Sequence, residues 1–494
     1  MGGITVNELR FNEETFRDGQ QSLWANRMRT ASMLSIAPVM DEAGFDSINI
    51  MSGSAFESCV LYLNEDPWER LHLLCQLLPN TDIQVLIRGR SAFGWRRFPD
   101  DAIELLITCL KNTGVQGIVL FDGLNDISNI KWHMQVAKKI GLQIHPALVF
   151  SESPVHTDEY YASKARECVN LGMDNVNLAD GSGLLSPVRI RTLMPAIRKA
   201  IGDKVEFGFL GHDGTGLATE NYIEAMRVGI DNLSTASQPL SYGNSIPSTL
   251  DVLSYAREMG YDVKIDVGLQ KKVDDHFYWV AHEEQRPVSQ RVQYNPTQFK
   301  QYTQHQIPGG MMSHLVSQLK NLGLENRLPE VLEEAGRVRQ EIGYPVMVTP
   351  FSQIVGVQAV FNVIEGERYK TVPSDLCQYA RGYYGTPAAP IDPDIMDKIL
   401  EGEDKGSIDP TENYKEPLVA KVRKELGAHR SNEELLLELF FSRPTIEKFH
   451  QNKKPIEFPV TRQPLSTLIR ELSKRKDISR VRLQKGALRL EQIF

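Results

Sequence analysis

Eight short apolar or alternating runs, separated by longer amphipathic stretches, fill the first half of this chain. They are ITVNELRF, FDSINIM, IQVLIR, VQGIVLFD, LQIHPALVF, DNVNLAD, VEFGFLGH and IDNLSTA. The stretches between them, such as ASMLSIAPVMDEAG, PDDAIELLITCLKNTG and VRIRTLMPAIRKAIG, carry helical periodicity. Several end in the glycine expected just past a helix C-terminus. Eight strands alternating with helices over about 240 residues is the count of a closed (β/α)8 TIM barrel. A doubly wound open sheet usually has fewer strands. No GxGxxG or GxxxxGK(S/T) motif follows the first run, so neither nucleotide fold gains support.

In such barrels the chemistry sits where the strands end. The ends here supply Asp18 after the first run, Arg88 after the third and Asp122 after the fourth. The sixth supplies Asp180, the seventh His212 and Asp213, and the eighth Thr235 and Gln238. Each aspartate taken alone is as readily a turn former or helix cap. Polar residues at most of the eight ends argue for a shared site. Position 179, in VNLADGSGLLSP, is the exception: a strand end built for display carries only a methyl group.

Beyond about residue 270 the pattern turns helical. MSHLVSQLKNLG, LPEVLEEAGRVRQEIG and FSQIVGVQAVFNVIEG read as helices. GTPAAPIDPDI is a proline-rich connector, EGEDKGSIDPTENYKE a charged loop, and the last thirty or so residues read as one helix and a hairpin turning at Lys485-Gly486. The expected division is a barrel over 1–270, a mostly helical domain over 271–430, and a C-terminal tail over 431–494.

The chain has 494 residues, 63 acidic and 55 basic, with a net charge of -8. That balance gives no sign of a nucleic-acid partner. Five cysteines are scattered without a CxxC pair, which argues against a disulfide framework or a cysteine zinc site and suits the cytoplasm. The N-terminal stretch is too polar for a signal peptide, and no apolar run approaches the ~18 residues of a membrane span.

Four stretches carry more than a fold. FRDGQQSLWANRMRT (16–30), LNEDPWERL (63–71), QIPGGMMSHLVSQL (306–319) and VTPFSQIVGVQAVFNV (348–363) closely resemble the carboxyltransferase module of biotin-dependent enzymes. Pyruvate carboxylase, the oxaloacetate decarboxylase alpha subunit and the transcarboxylase central subunit share that module. The resemblance runs from about residue 6 to 390. It implies a barrel plus a helical domain, in which carboxybiotin exchanges its carboxyl group with pyruvate beside a divalent metal.

The resemblance also places that metal's ligands, and two are replaced. The Arg-Asp pair is present as Arg17-Asp18. The first histidine of a His-x-His falls on Leu210, the second on His212, and the carboxylated lysine falls on Ala179 ahead of Asp180. The family's catalytic threonine falls near Asn244, and two biotin-pocket residues fall on Glu57 and Trp95. The substrate positions Gln21 and Arg88 survive. An arginine fork suits a carboxylate because it makes two parallel charge-assisted hydrogen bonds.

With two donors, Asp18 and His212, any metal is expected to be weakly held, helped by Asp180 or Asp213, or absent. Without one, Asp18 and His212 form a carboxylate–imidazole pair, expected to act as a general base near neutral pH. Biotin is expected only on a partner chain, because IEAMRVG has Arg227 where a biotinyl lysine would follow Met226. Three functions stay open. One is a carboxyltransferase or decarboxylase subunit acting on a small keto acid, with Asp18, Arg88, Asp180 and His212 catalytic and Gln21, Arg88 and Asn244 binding substrate. Another is a biotin-independent hydrolase or ring-opening enzyme. The third is a non-catalytic partner of an active carboxyltransferase subunit. A homo-oligomer is expected in each case.

Overall fold

The computed structural model describes residues 8–456, apart from 95, 309–311, 313, 314, 318, 321, 322, 402–415 and 428, together with 480–485 and 488–493. Eight parallel strands close into a barrel in sequence order. They are β1 (Arg10–Glu13), β2 (Ser47–Ser52), β3 (Asp82–Arg88), β4 (Gly117–Phe121), β5 (Gln143–Val149), β6 (Asn175–Asp180), β7 (Glu206–Gly211) and β8 (Asn232–Thr235). Closure is the pairing of Arg10–Glu13 with Asn232–Thr235. Seven of the eight runs fall on their strands almost residue for residue. The first is displaced: ITVNELRF leads into a strand that begins only at Arg10, where β8 offers a partner, and Glu8 makes an isolated bridge to Asp262.

Helices cover the outside. Asp100–Thr113 and Pro187–Ile201 form where the amphipathic pattern places them. The second helix continues through Pro195 because Ile190, Leu193, Met194, Ile197 and Ile201 keep one face buried. ASMLSIAPVMDEAG is not the single helix its periodicity suggests. It folds as Thr30–Leu34 and Ala37–Asp41, because Pro38 has no N–H to continue the first helix and suits the first turn of the next.

Two apolar clusters hold the chain together. One spans the barrel and its helices and takes in Leu435, Leu436, Leu439, Ile446 and Phe449 from the helices Asn432–Phe440 and Arg443–Asn452. Phe440 seals that junction, with its ring centroid 5.0 Å from Phe98 and 6.0 Å from Phe56. The other cluster is built from residues 307–400 around the helices Leu328–Glu341 and Phe351–Glu365, and reaches the barrel at Leu124. Arg339 ties the two, donating to Ser151 Oγ at 2.8 Å and to the Glu152 carbonyl at 3.1 Å.

At the C-terminus β9 (Arg480–Lys485) and β10 (Leu488–Ile493) form the expected hairpin, with Lys485 opposite Leu488. The helix expected before it and most of the loop EGEDKGSIDPTENYKE lie outside the described residues, and MSHLVSQLKNLG does so in part. Among the described residues, no helix is long and apolar enough to cross a membrane.

Candidate functional site

The chain leaves β1 through a wide, π-helical turn, Thr15–Gly19, whose five residues are all buried. This turn points Asp18 into the barrel mouth and folds Arg17 back on Glu14. Arg17 donates to Glu14 Oε2 at 2.8 Å and to Asp18 Oδ2 at 2.6 Å. From the end of β7, His212 Nε2 meets the same carboxylate, 3.0 Å from Oδ1 and 3.1 Å from Oδ2. Ser22 Oγ also donates to Asp18, at 3.2 Å.

Burial would raise the Asp18 carboxyl, but His212 and Arg17, with hydrogen bonds from His212 and Ser22, hold it well below the usual carboxylate range. Burial would likewise lower His212, and the Asp18 charge and hydrogen bond outweigh it, so its pKa is raised. The Asp18 carboxylate thus favours the protonated form of the imidazole more than water would.

Gln21 lies one turn further on. Its Oε1 accepts from Ser52 Oγ and Ser54 Oγ, each at 2.9 Å. The amide NH2 is thereby left as the group it can offer a ligand. Arg88 ends β3. Its pKa is lowered by burial, against the opposing charge of Glu57.

Asp18, Gln21, Arg88, His212 and Asn244 all line one cavity of about 940 Å³. Asp180 does not line it. Its Oδ1 accepts from the Leu184 N–H at 2.9 Å and its Oδ2 from the Leu185 N–H at 2.7 Å, so the carboxylate shapes the loop after β6. The Gly-Ser-Gly turn has a local reason as well: Gly183 has φ of +66°, and a Cβ there would stand 2.9 Å from the His212 carbonyl. Burial raises the Asp180 carboxyl, against bonds from Leu185 and Leu184.

The remaining strand-end candidates are bonded to nearby loops and side chains. Asp122 accepts from Leu124 N and Asp126 N, and Asp213 from Ala218 N and Val292 N. Thr235 pairs with the Thr249 hydroxyl, and the Gln238 N–H donates to Asp274. Trp95 lies outside the described residues.

Two groups of lining residues escaped the sequence reading. The roof comes from the helical part, through Tyr302, His305, Thr349, Ser352 and Gln353. No periodicity points a distant helix at a barrel mouth. The floor comes from inward positions deep in the strands, Asn12, Gln84, His145, Asn177 and Ser234. These had a signal: polar side chains at inward positions of otherwise apolar strands. Gly208 makes room for the floor amide of Asn177 and for Asn232 behind it, since a Cβ there would fall 2.0 Å from Asn177 Oδ1 and 2.4 Å from Asn232 Oδ1.

The donor set does not fit a divalent metal. Ala179 and Leu210 are register partners on β6 and β7 and offer no ligand atom. Both Asp180 oxygens are engaged by backbone N–H groups. Among the described residues, no group of three or more His, Cys, Asp or Glu side chains is placed to hold a metal ion, whereas catalytic zinc typically has three protein ligands.

Comparison with known proteins shows what the whole chain is similar to. The HMGL-like family model matches residues 8–240, and the conserved carboxylase domain model matches residues 303–489. A pyruvate carboxylase subunit of Methanocaldococcus jannaschii is 37% identical over 87% of this chain and 75% of its own length. The methylmalonyl-CoA carboxyltransferase 5S subunit of Propionibacterium freudenreichii subsp. shermanii is 34% identical over 80% of this chain and 77% of its own. The carboxyl transferase domain of Rhizobium etli pyruvate carboxylase, solved with oxamate and biotin, superposes with a TM-score of 0.83 at 25% identity, over 92% of this chain and 79% of that one.

Proposed function

Since this chain belongs to the carboxyltransferase family of the pyruvate carboxylases and the transcarboxylase 5S subunit, we propose that it moves a carboxyl group to or from a 2-oxo acid, with biotin delivered on another chain. The observation that carries this reading is the convergence of Gln21, Arg88 and the Asp18–His212 pair on one cavity. Arg88 takes the substrate carboxylate through its fork. Gln21 presents its amide NH2 to the same ligand. His212, held by Asp18 at Nε2, presents Nδ1 as a donor to the oxygen that becomes enolate. Arg17 keeps Asp18 ionised and fixed. Asp180 is a positioning residue that shapes the loop behind His212, and Asn244 completes the substrate wall.

The cavity volume falls within the usual range for ligand sites and accommodates an oxo acid beside a bicyclic ureido ring. Thr349 and Gln353 on the roof offer that ring polar partners. Carboxybiotin, when bound, would supply an activated carboxyl group for exchange at C3 of the oxo acid, with Thr349 and Gln353 beside its ureido ring and Arg88 and Gln21 holding the oxo acid. No step is assigned to a metal.

The test is oxaloacetate decarboxylation with and without added biocytin. A biocytin-dependent rate that Arg88→Ala removes is expected. A rate insensitive to both overturns the reading. Ala179 and Leu210 favour one alternative, a non-catalytic partner of an active homologous subunit. That reading requires stable co-purification with such a subunit and no biocytin-dependent turnover.

A further inference from the structure

Between the Asp18–His212 pair and the polar floor, one layer of the inner wall on β5, β6 and β7 is apolar. Val149, Ala179 and Leu210 are register partners on β5, β6 and β7, so they form one row across three adjacent strands. All three line the cavity. Leu86 and Val119, partners on β3 and β4, and Ala147 on β5 also line the cavity, beside His145 and Asn177, the register partners of Val119 and Ala147. Ala179 and Leu210 are only half-buried, while their chain neighbours Leu178, Asp180 and Phe209 are buried against the surrounding structure. The exposure of Ala179 and Leu210 is therefore toward the cavity. None of the six apolar side chains can donate or accept a hydrogen bond. A polar group pressed against them would lose hydration without replacement, whereas a hydrocarbon group would gain by leaving water.

We infer that this apolar belt is a specificity pocket, and that the substrate is a 2-oxo acid carrying a hydrocarbon chain beyond C3 and no second carboxylate. The inference rests on the carboxyltransferase reading above and names the substrate class for the same site. Arg88 holds the single carboxylate, and the hydrocarbon tail lies along the row on β5–β7. Position 179 sets the room available: its methyl group leaves open the space that a longer side chain on β6 would fill. The tail is a spectator, because the bonds that change are those at C3.

Calorimetric titration of the full chain with pyruvate, 2-oxobutyrate, 2-oxovalerate, 4-methyl-2-oxopentanoate and 2-oxoglutarate tests this. On the wild type, 2-oxovalerate should bind roughly tenfold more tightly than pyruvate, the scale of discrimination a few methylenes give in an apolar pocket. 2-Oxoglutarate should bind more weakly than 2-oxovalerate, because its second carboxylate meets the belt. Ala179→Leu should cost 2-oxovalerate about tenfold and leave pyruvate within roughly twofold. Leu210→Phe should have the same effect from the neighbouring strand, so a folding failure of either variant, seen by thermal melting, still leaves a measurement. Pyruvate binding as tightly as 2-oxovalerate, undisturbed by either substitution, overturns the pocket and leaves the carboxyltransferase reading intact. Failure of every oxo acid to bind overturns both.

Discussion

The two sides of the barrel mouth obey the same geometry and carry opposite chemistry. On the β1 and β3 side, Glu14, Arg17, Asp18, Gln21 and Arg88 are charged or polar, and Asp18 is bonded on both oxygens. On the β5–β7 side, Val149, Ala179 and Leu210 form an apolar row in register. The strands that carry the two sides pair without interruption around the closed barrel. The frame is thus insensitive to what the inward positions display, and one half of a site can be rebuilt while the other is kept.

The largest effect should come from breaking the charged half at its centre. Asp18 holds Arg17 and His212 together in a buried setting, so Asp18→Ala leaves both short of their shared carboxylate. Such a loss costs about 3–5 kcal/mol of stability, read as a lowered urea midpoint. A midpoint equal to that of wild type would show the cluster to be energetically idle. Arg88→Ala should act on binding: an unpaired substrate carboxylate costs about 2–5 kcal/mol, seen as oxo-acid affinity lost with the melting temperature nearly kept. Unchanged kinetics and affinity would remove Arg88 from the site.

The comparison sharpens if the apolar half is given donors. In wild type, zinc or manganese should be stripped readily by chelator, since Asp18 and His212 are already spent on each other. Leu210→His combined with Ala179→Lys should raise metal affinity by at least about 10–100-fold, the scale associated with even an outer ligand partner. Elemental analysis after chelator dialysis reads this. Stoichiometric, chelator-resistant metal in the wild type would show that the present residues suffice.

The β/α alternation made the barrel legible, because inward and outward faces alternate along each strand and the strand ends share one rim. Asp18, Arg88 and His212 were legible as cavity residues for the same reason, and Gln21 and Asn244 only through motif resemblance. Asp180 shows where such reasoning stops. A rim aspartate and a loop-bonding aspartate have the same sequence signature, and only the N–H groups of Leu184 and Leu185 distinguish them. The arrangement around Asp18 was equally hidden. It depends on Arg17 folding back between Glu14 and Asp18, a matter of the turn and not of residue identity.

The smallest effect belongs to a rim position on the strand next to Arg88. Asp122 directly follows β4, and its Oδ1 accepts from Leu124 N at 2.9 Å and Asp126 N at 3.0 Å. Its Oδ2 accepts from Asn129 Nδ2 at 3.1 Å. Asp122→Asn keeps one carbonyl for the two backbone donors but sets an NH2 against the Asn129 NH2. The expected cost is about 1 kcal/mol of stability, with oxo-acid affinity unchanged. The pH dependence gives the decisive signature. Burial raises the Asp122 carboxyl to about 6, against the bonds from Asp126 and Leu124. A raised folded value means that the native state holds the proton more tightly than the unfolded chain, whose aspartate titrates near ~3.9. The stability tied to that proton is fully present below about 4 and is lost as pH rises through about 6. Asparagine has no such proton, so the penalty of Asp122→Asn should be largest near pH 4 and shrink toward pH 7. Urea midpoints of both proteins across that interval would measure it. A constant difference would mean that Asp122 stays ionised throughout, and that its bonds to the loop outweigh its burial.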